Sequence, residues 1–316
     1  MSEILIVGAG AWGTALAIHL AGAGRAVALW ARDPSLAETR QTPYLPGIRL
    51  PPSVRVTTDL APAPLTLLAV PAQHLRAVAS RLEKPGRVLA CCKGIETGTL
   101  ALPLEILAEM LPGADLGVLT GPNFAHEIAR ALPAAAVIAA ADPSFRDAAI
   151  AAIATPTFRL YGNDDPIGAQ LGGAAKNVIA IAAGVVIGAG LGENARAALV
   201  TRGLAEMARL AVALGGRAET VAGLSGMGDL LLTCAGTASR NMSFGLALGA
   251  GTPAAAILAG RAGVTEGVAT APALVACAAR LGVSVPICAA VAALLADEIS
   301  VAEATAALLS RPLRDE

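Results

Sequence analysis

The pattern that most restricts the fold lies in the first 23 residues. Ile4–Val7 (ILIV) is a short, continuous apolar run of the kind that forms a buried parallel strand. The sequence G-x-G-x-x-G follows at residues 8–13, and residues 14–23 form an alanine-rich helical stretch. This order predicts the start of a dinucleotide-binding unit, although an ordinary glycine-rich turn between a strand and a helix has the same pattern.

Each glycine of this motif has a predicted task. Gly8 allows the tight turn, and Gly10 lets a pyrophosphate group approach the backbone. Gly13 lets the helix pack closely on the strand. The amino end of the helix would then face the phosphates with its free N–H groups.

Strand-like and helix-like segments alternate over the first half of the chain. This alternation predicts a doubly wound, mostly parallel sheet of the Rossmann-like type. Further strands are predicted at residues 26–30, 54–57, 65–70, 87–92, 116–119, 135–140 and 157–161, with helices at 73–82, 100–111 and 144–153.

Strand signals largely stop after Asp164-Asp165-Pro166, which has the form of a helix cap with proline in the first turn. Long helical stretches separated by glycines fill the rest of the chain, including residues 193–214. We therefore predict two domains. Residues 1–165 form a dinucleotide-binding domain, and residues 166–316 form an all-helical substrate-binding domain.

Residues 168–192 form an apolar, glycine-rich stretch whose only charged residue is Lys176. A lone ammonium group in such a helix is unfavourable unless a partner or a task compensates for it, and burial lowers its pKa. Lys176 is therefore a candidate proton carrier, the alternative being a lysine that extends out of a buried helix to water. Seven glycines and Gln170, Lys176 and Asn177 argue against a membrane span.

The composition of the chain limits which partners, metal sites and cellular locations we expect. The formal net charge is −1 and the isoelectric point is about 6.3, which favours neither nucleic acid nor an anionic membrane as a partner. The five cysteines are odd in number and have no C-x-x-C spacing, so we expect reduced thiols, no metal site and a cytoplasmic location. Ile4–Val7 leads directly into glycines and has no basic flank, which indicates a strand and not a signal peptide.

Two further sequence positions bear on a bound coenzyme. Arg32 and Asp33 follow the second predicted strand, where NAD-binding units carry an acidic residue that holds the ribose. Arg32 could meet a 2′-phosphate, which favours NADPH over NADH, while Asp33 could instead cap the next helix with Pro34 as its first residue. Lys93 follows the strand predicted at residues 87–92, at the sheet edge where ligands bind, although a surface lysine fits there equally well.

Several separate stretches together resemble one enzyme family. In order they read GAGAWGTALA, CCKGIE, GPNFAHEIA, QLGGAAKNVIAIAAG, GENARAALVTRGLAEM, GLSGMGDLLLTC, SRN and GVTEG. Nearly the whole chain is similar to the bacterial type of NAD(P)-dependent glycerol-3-phosphate dehydrogenase. The resemblance implies reduction of dihydroxyacetone phosphate to sn-glycerol 3-phosphate, the backbone precursor of phospholipids, with NADPH or NADH as coenzyme.

The resemblance also implies residue roles. The catalytic positions are Lys176, Lys93 and Asp229. The coenzyme-binding positions are Gly8, Gly10, Ala11, Trp12, Gly13, Arg32, Lys93, Ala125, Arg240, Val264 and Glu266. The substrate-binding positions are Lys93, Gly121, Asn123, Lys176, Asn177, Asp229, Thr233, Ser239, Arg240 and Asn241. Two residues depart from the family's usual choice: Ala11 stands where many members have serine, and Asn123 stands where serine or threonine is usual.

The chemistry of these residue types agrees with the reaction. Ketone reduction needs a hydride donor and a proton donor, and Lys176 as an ammonium group could give the proton. The substrate phosphate needs an anchor, which Arg240 and Asn241 could provide as a charged fork and an amide.

Two alternatives stay open from the sequence. One is a dehydrogenase of 3-hydroxyacids or of ketopantoate, which acts on carboxylates and also uses a lysine. The other is a non-catalytic NADP(H) sensor, which would keep the glycines but would not need Lys176, Asp229 and Arg240 together. The expected partner is a small phosphorylated molecule, with no nucleic acid and no membrane insertion. The assembly stays open between a monomer and a homodimer.

Overall fold

The computed structural model describes residues 3–261 and 263–310. Within these residues, eight strands form one sheet: β1 (Ile4–Val7), β2 (Val27–Trp30), β3 (Val54–Thr57), β4 (Leu65–Leu68), β5 (Arg87–Ala90), β6 (Asp115–Thr120), β7 (Ala134–Ala139) and β8 (Phe158–Asn163). Their order across the sheet is β3-β2-β1-β4-β5-β6-β7-β8. The strand order therefore reverses at β1: β2 and β3 follow on one side of it, and β4 to β8 follow on the other. This reversal leaves a crevice at the carboxyl ends of β1 and β4.

Most neighbouring strands are parallel, as the alternation of segments predicts. In the first pair, Ile4 lies beside Val27 and Val7 beside Trp30. Only β7 runs antiparallel to its neighbour β6, and β8 then runs parallel to β7. All four residues of β1 are buried, as expected for a strand covered on both faces.

Within residues 3–165, six α-helices accompany the sheet: α1 (Ala11–Gly22), α2 (Leu36–Thr39), α3 (Leu75–Ala79), α4 (Pro103–Met110), α5 (Ala125–Ile128) and α6 (Pro143–Ile153). Apolar residues of α1 and α6 pack on one face of the sheet, and those of α3 and α4 pack on the other. The sheet is thus doubly wound, and the predicted fold class is confirmed.

Two of these helices are shorter than predicted. The segment predicted as one helix over 73–82 is a 3-10 turn at Ala72–His74 followed by α3, which ends at Ala79. The helix predicted from residue 100 begins only at Pro103. Leu100 has a left-handed φ of 64°, which no helix can contain, and the Glu105 carboxylate accepts the Leu102 N–H at the start of α4.

The second half of the chain is helical. Its helices are α7 (Pro166–Gly188), α8 (Glu193–Ala213), α9 (Ala218–Ala222), α10 (Asp229–Cys234), α11 (Arg240–Gly249), α12 (Ala254–Ala259), α13 (Glu266–Arg280), α14 (Pro286–Leu295) and α15 (Val301–Leu309), with a π-helical segment at Leu224–Gly228 before α10. Within residues 166–261 and 263–310 the structure has no strand.

Helix α7 forms the centre of the helical half and is buried over nearly its whole length. Glycines on both helices explain how closely α11 packs against α7. A Cβ atom added to Gly184 would lie 2.2 Å from the Met242 carbonyl oxygen, and one added to Gly245 would lie 2.0 Å from that of Ile181. The two backbones therefore approach each other more closely than any side chain would allow.

Helix α7 is also long and apolar enough, by length and composition, to span a membrane. In this fold, however, 89% of its most apolar stretch is buried inside the protein. Its composition thus matches that of a core helix, which satisfies the same length test.

The helix starts where the sequence predicts. Asp165 is the N-cap of α7, and its carboxylate accepts the Gly168 N–H at 2.8 Å. The same carboxylate accepts the Arg217 N–H at 2.8 Å, which ties α7 to the loop after α8. The division into domains at residues 165 and 166 stays a prediction.

Candidate active site

A cleft of about 1420 Å³ lies between the carboxyl edge of the sheet and the helical half. The predicted site residues meet along it, although they are spread over more than 250 positions of sequence. The cleft is lined by Gly8, Gly10, Ala11, Trp12, Arg32, Lys93, Gly121, Asn123, Ala125, Lys176, Asn177, Asp229, Thr233, Ser239, Arg240, Asn241, Val264 and Glu266. Gly13 is the one predicted residue outside its lining.

The glycine turn at one end of the cleft has the geometry that its sequence predicts. Gly8 has a φ of 114°, and a Cβ atom there would lie 2.8 Å from the Ala69 carbonyl oxygen. Gly13 packs α1 on the turn, since its Cβ would lie 2.0 Å from the Gly8 carbonyl oxygen. A Cβ at Gly10 would meet nothing within 4 Å, so the backbone here is open towards the cleft.

The amino end of α1 is available to an anion. Gly10 is its N-cap and provides no side-chain acceptor, and the first turn contains no acidic residue. The N–H groups of this turn therefore point out of the helix without a carboxylate beside them, which is the arrangement that binds phosphate groups.

Arg32 is exposed and lines the cleft just beyond β2. Asp33 does not cap a helix that begins at Pro34, because α2 begins at Leu36 with Ser35 as its N-cap. Its carboxylate instead accepts the Ser35 N–H at 2.9 Å, and this bond lowers the pKa of Asp33.

Several cleft-lining residues are absent from the sequence-based prediction. The Arg81 guanidinium lies 5.3 Å from the centre of the Trp30 ring, and both residues line the cleft near Arg32. Trp30 is the last residue of β2. Because ligands bind at the carboxyl ends of strands in such sheets, this position in the sequence could have identified Trp30 as a cleft residue. Arg81 follows a helix end without any motif. Tyr44, His74 and Arg130 also line the cleft.

A buried ion-pair cluster lies at the other end of the cleft. The Lys176 ammonium donates to Asp229 Oδ1 at 2.9 Å and to Thr233 Oγ1 at 2.8 Å. Thr233 in turn donates to the Asp229 carbonyl oxygen at 2.6 Å, one turn back along α10. Lys93 donates to the other carboxylate oxygen of Asp229, so one carboxylate lies between two ammonium groups.

Three elements carry this cluster: the loop after β5 holds Lys93, α7 holds Lys176, and α10 holds Asp229 and Thr233. Lys93 follows β5, and its side chain crosses α7 at Gly173, where a Cβ atom would lie 3.3 Å from Lys93 Cγ. Its ammonium also donates to the Gly121 carbonyl oxygen at 3.1 Å, just after β6. Asp229 is the first residue of α10, directly after the π-helical segment, a rare form that occurs often at functional sites.

Burial and neighbouring charges set the ionisation of the cluster. Burial lowers the pKa of Lys176 to about 8; the Asp229 carboxylate opposes this change and the Lys93 charge adds to it. Burial raises the pKa of Asp229, but the two ammonium groups outweigh that effect and hold it below its usual value. Near neutral pH, Asp229 is therefore an anion, and Lys176 can exchange a proton.

Asn177 and Asn241 form a buried amide pair beside the cluster. Asn241 Nδ2 donates to Asn177 Oδ1 at 2.8 Å, and Asn241 Oδ1 accepts the Gly267 N–H at 3.0 Å. These bonds join α7, α11 and the first turn of α13. Ser239 is the N-cap of α11, and its hydroxyl oxygen accepts the Met242 N–H at 3.2 Å. The residue also lines the cleft.

Arg240 and Glu266 lie where α11 and α13 begin. Arg240 is exposed, and its Nη1 atom would lie 2.7 Å from a Cβ added to Gly263. Burial raises the pKa of Glu266 to about 7, against the opposing effects of the Ala72 N–H and the Arg240 charge. The Glu266 Oε2 atom is buried and has no hydrogen-bond partner among the residues that the structure describes. Val264 is 44% exposed on the loop before α13.

Asn123 lies in the loop after β6. Its Nδ2 atom donates to the Ala135 carbonyl oxygen at 3.1 Å, while its Oδ1 atom is buried and has no hydrogen-bond partner within residues 3–261 and 263–310. Gly121 in the same loop has a φ of 150°, and its Cβ would lie 2.9 Å from the Ala136 Cα atom, so only glycine fits. Ala125 starts α5 at the wall of the cleft.

Across residues 3–261 and 263–310, no group of three or more histidine, cysteine, aspartate or glutamate side chains is arranged to hold a metal ion. The cysteines of these ranges are free thiols, four of them buried.

Two family models match the chain. The model of the NAD-dependent glycerol-3-phosphate dehydrogenase N-terminus matches residues 3–146, and that of the C-terminus matches residues 165–306. The chain belongs to this family. Together the two matches include every predicted site residue.

Curated relatives of the family are similar over their full length. Glycerol-3-phosphate dehydrogenase [NAD(P)+] of Acidiphilium cryptum is 58% identical over 99% of this chain and 98% of its own. The Gluconobacter oxydans enzyme of the same name is 55% identical over 98% of this chain and 97% of its own. The crystal structure of glycerol-3-phosphate dehydrogenase from Coxiella burnetii matches with a TM-score of 0.92 at 35% identity, covering 98% of this chain and 99% of that one.

Proposed function

We propose that the protein catalyses the reversible reduction of dihydroxyacetone phosphate to sn-glycerol 3-phosphate with NADPH or NADH. Family membership supports this reaction over the reduction of carboxylate substrates and over a non-catalytic sensor role. One observation carries the proposal: Lys176, a buried lysine with a pKa of about 8, is bonded to Asp229 in the same cleft as the open glycine turn.

The residues of the glycine turn fit a dinucleotide. Gly10 leaves open space in front of a helix end that has no side-chain cap, which is the room that a pyrophosphate needs. Ala11, Trp12, Arg32 and Ala125 line the cleft beside this turn and would hold the coenzyme there. When bound, the reduced nicotinamide supplies the hydride that goes to the carbonyl carbon.

The proton would come from Lys176. As an ammonium group it would donate a proton to the carbonyl oxygen and stabilise the negative charge that develops there. In the oxidative direction the neutral amine would accept the hydroxyl proton. A pKa of about 8 suits both directions, because each form is populated near neutral pH.

Asp229 would orient both lysines. Its carboxylate holds Lys176 through one oxygen and Lys93 through the other, and it is itself nearly inaccessible to solvent. Lys93 would bring a second positive charge towards the substrate and the coenzyme. Thr233 would fix the direction of the Lys176 ammonium group.

Arg240 would bind the substrate phosphate, together with Ser239 and Asn241. The Arg240 guanidinium has no carboxylate within 4 Å among the described residues, so its donors are available to an anion. A phosphate dianion matches this planar fork. Gly121, Asn123 and Asn177 would surround the rest of the substrate. Val264 and Glu266 would contact the coenzyme from the start of α13.

Several broader statements belong to the same proposal. We propose that NADPH is preferred over NADH, on the basis of Arg32 after β2. The product would supply glycerophospholipid synthesis in the cytoplasm, without membrane insertion, and residues 1–165 and 166–316 would act as separate domains. A homodimer is the assembly to test, by sedimentation of the purified protein.

The test is a substrate panel that follows the loss of nicotinamide absorbance. Dihydroxyacetone phosphate, ketopantoate and a 3-oxoacid are each offered with NADPH and with NADH. The proposal predicts turnover of dihydroxyacetone phosphate, and Lys176→Met should reduce that rate by at least about a hundredfold. Turnover of a carboxylate substrate alone, or a Lys176→Met variant that keeps most of its rate, would overturn it.

A further inference from the structure

The loop that carries Lys93 lies outside regular secondary structure. Strand β5 ends at Ala90, and no helix begins before Pro103. The Lys93 ammonium nevertheless reaches two fixed acceptors, the Gly121 carbonyl oxygen at 3.1 Å and the Asp229 carboxylate. The position of this charge therefore depends on what holds the backbone of residues 93–97.

The side chain of Gln73 holds that backbone directly. Its Nε2 atom donates to the Ile95 carbonyl oxygen at 2.8 Å, and its Oε1 atom accepts the Thr97 N–H at 3.0 Å. The Gln73 amide thus donates to a carbonyl group and accepts from an N–H group of the same segment. It pairs with this backbone in the way that a peptide group of a neighbouring strand would. Gln73 lies in the 3-10 turn after β4 and is 20 residues away from Lys93 in sequence.

Two further contacts join the same segments. A Cβ atom at Gly94 would lie 2.9 Å from Ala72 Cβ, so the loop backbone rests directly on the 3-10 turn. The Arg76 guanidinium donates to both carboxylate oxygens of Glu96, with its Nη2 atom 2.9 Å from Oε2. The Glu96 pKa is lowered mainly by this bond. The 3-10 turn and the start of α3 thus support the loop at four successive residues, 94–97.

The supporting segment is also part of the cleft wall. Pro71 and His74, on either side of Gln73, line the cleft. We propose that Gln73 is a positioning residue, which fixes the Lys93 loop so that the Lys93 ammonium meets Asp229 and the substrate. This inference rests on the proposed function, because its effect on turnover acts through Lys93.

Gln170 offers a matched control. It accepts the Leu104 N–H at 2.8 Å and donates to the Pro166 carbonyl oxygen at 2.8 Å, so it also bonds two backbone groups. Gln73→Ala and Gln170→Ala therefore remove the same kinds of hydrogen bond. We expect Gln73→Ala to lower kcat/KM for dihydroxyacetone phosphate by about tenfold, and Gln170→Ala by less than about twofold.

A double-mutant cycle separates positioning from general structural damage. In a Lys93→Ala background, Gln73→Ala should lower kcat/KM by less than about twofold, because the group that it positions is gone. A tenfold loss in both backgrounds would overturn the inference. If the wild type and Gln170→Ala turn over dihydroxyacetone phosphate and Gln73→Ala matches them, the inference fails while the proposed function stands.

A measurement without turnover completes the test. The chain has three lysines, Lys84, Lys93 and Lys176, so reductive ¹³C-methylation gives few and assignable lysine signals. In Gln73→Ala the Lys93 signal should move towards that of the exposed Lys84, whereas in Gln170→Ala it should stay at the wild-type position. An unmoved Lys93 signal in Gln73→Ala would contradict the inference whatever substrate the enzyme uses.

Discussion

Lys176 and Asp229 form a buried ion pair in which Nζ and Oδ1 lie 2.9 Å apart, although 53 residues of sequence separate them. From the sequence alone, Lys176→Met is expected to leave stability unchanged or to raise it, because an unpaired ammonium no longer has to be buried. The pair changes this expectation. Without Lys176, Asp229 keeps Lys93 alone as a cationic partner among the described residues, and Lys176→Met should lower the melting temperature.

Asp229→Asn tests the role of the carboxylate. The substitution removes the negative charge that raises the pKa of Lys176, while burial and Lys93 continue to lower it. The pH above which the reduction slows should therefore move below that of the wild type. The pH dependence of kcat/KM, measured for both proteins, checks this, and an unchanged or higher midpoint would show that Asp229 does not set the Lys176 pKa.

Arg240→Ala tests the phosphate site. The wild type should strongly prefer dihydroxyacetone phosphate to dihydroxyacetone, and in the variant this preference should shrink by about tenfold to a hundredfold. Arg240→Lys should recover only part of it, because an ammonium cannot bind the phosphate as a fork. The specificity constants for both ketones decide. If the specificity constants for both ketones fell by the same factor, Arg240 would bind the coenzyme or support the fold and not the substrate phosphate.

Arg32→Ala tests the coenzyme preference. Arg32 is exposed at the cleft beyond β2, where a 2′-phosphate would lie if NADPH binds. We expect the Michaelis constant for NADPH to rise and that for NADH to stay nearly the same. Titration with both coenzymes measures this, and the prediction fails if the two constants rise together, since that pattern fits contact with the adenine.

Glu206→Ala tests a buried cap in the helical half. Glu206 is 2% exposed, and it accepts the N–H groups of Ile287 at 2.7 Å and Cys288 at 3.2 Å, at the start of α14. Its loss leaves a cavity and two unpaired donors, so the free energy of unfolding should fall by roughly 2–4 kcal/mol. Chemical denaturation gives this value. Glu303 provides an exposed control at the start of α15, where its carboxylate accepts the Ser300 N–H at 2.7 Å; Glu303→Ala should lower the free energy of unfolding by about 1 kcal/mol or less.

Much of the fold follows from local sequence patterns. Strand-like segments of the sequence predict all eight strands within a few residues. Strands such as β1 are buried on both faces and need continuous apolar sequence, whereas β3 and β8 are partly exposed and mix apolar with polar residues. The ends of α3 and α4 could not be predicted as well. The start of α4 follows the left-handed Leu100, and a 3-10 turn at Ala72–His74 replaces the first part of the predicted helix before α3; no local sequence pattern marks either feature.

The sequence could bring the candidate residues of the site to attention, but it could not predict the contacts between them. Lys176 stands out as the one charge of its helix, and the family motifs bring Asp229 and Arg240 to attention. No local signal pairs Lys176 with Asp229 or places Thr233 beneath its ammonium, because those contacts arise from the packing of α10 on α7. Arg81 and Gln73 have no motif at all.

The most direct test of the proton-carrier role of Lys176 is the pH dependence of kcat/KM for the wild type in both directions. The range runs upward from about pH 7, where the substrate phosphate is already a dianion. Since the pKa of Lys176 is about 8, reduction of dihydroxyacetone phosphate should slow as the pH rises through that value, and oxidation of sn-glycerol 3-phosphate should accelerate through it. Profiles that stay flat between about pH 7 and pH 10 in both directions would contradict the assignment of Lys176 as the proton carrier.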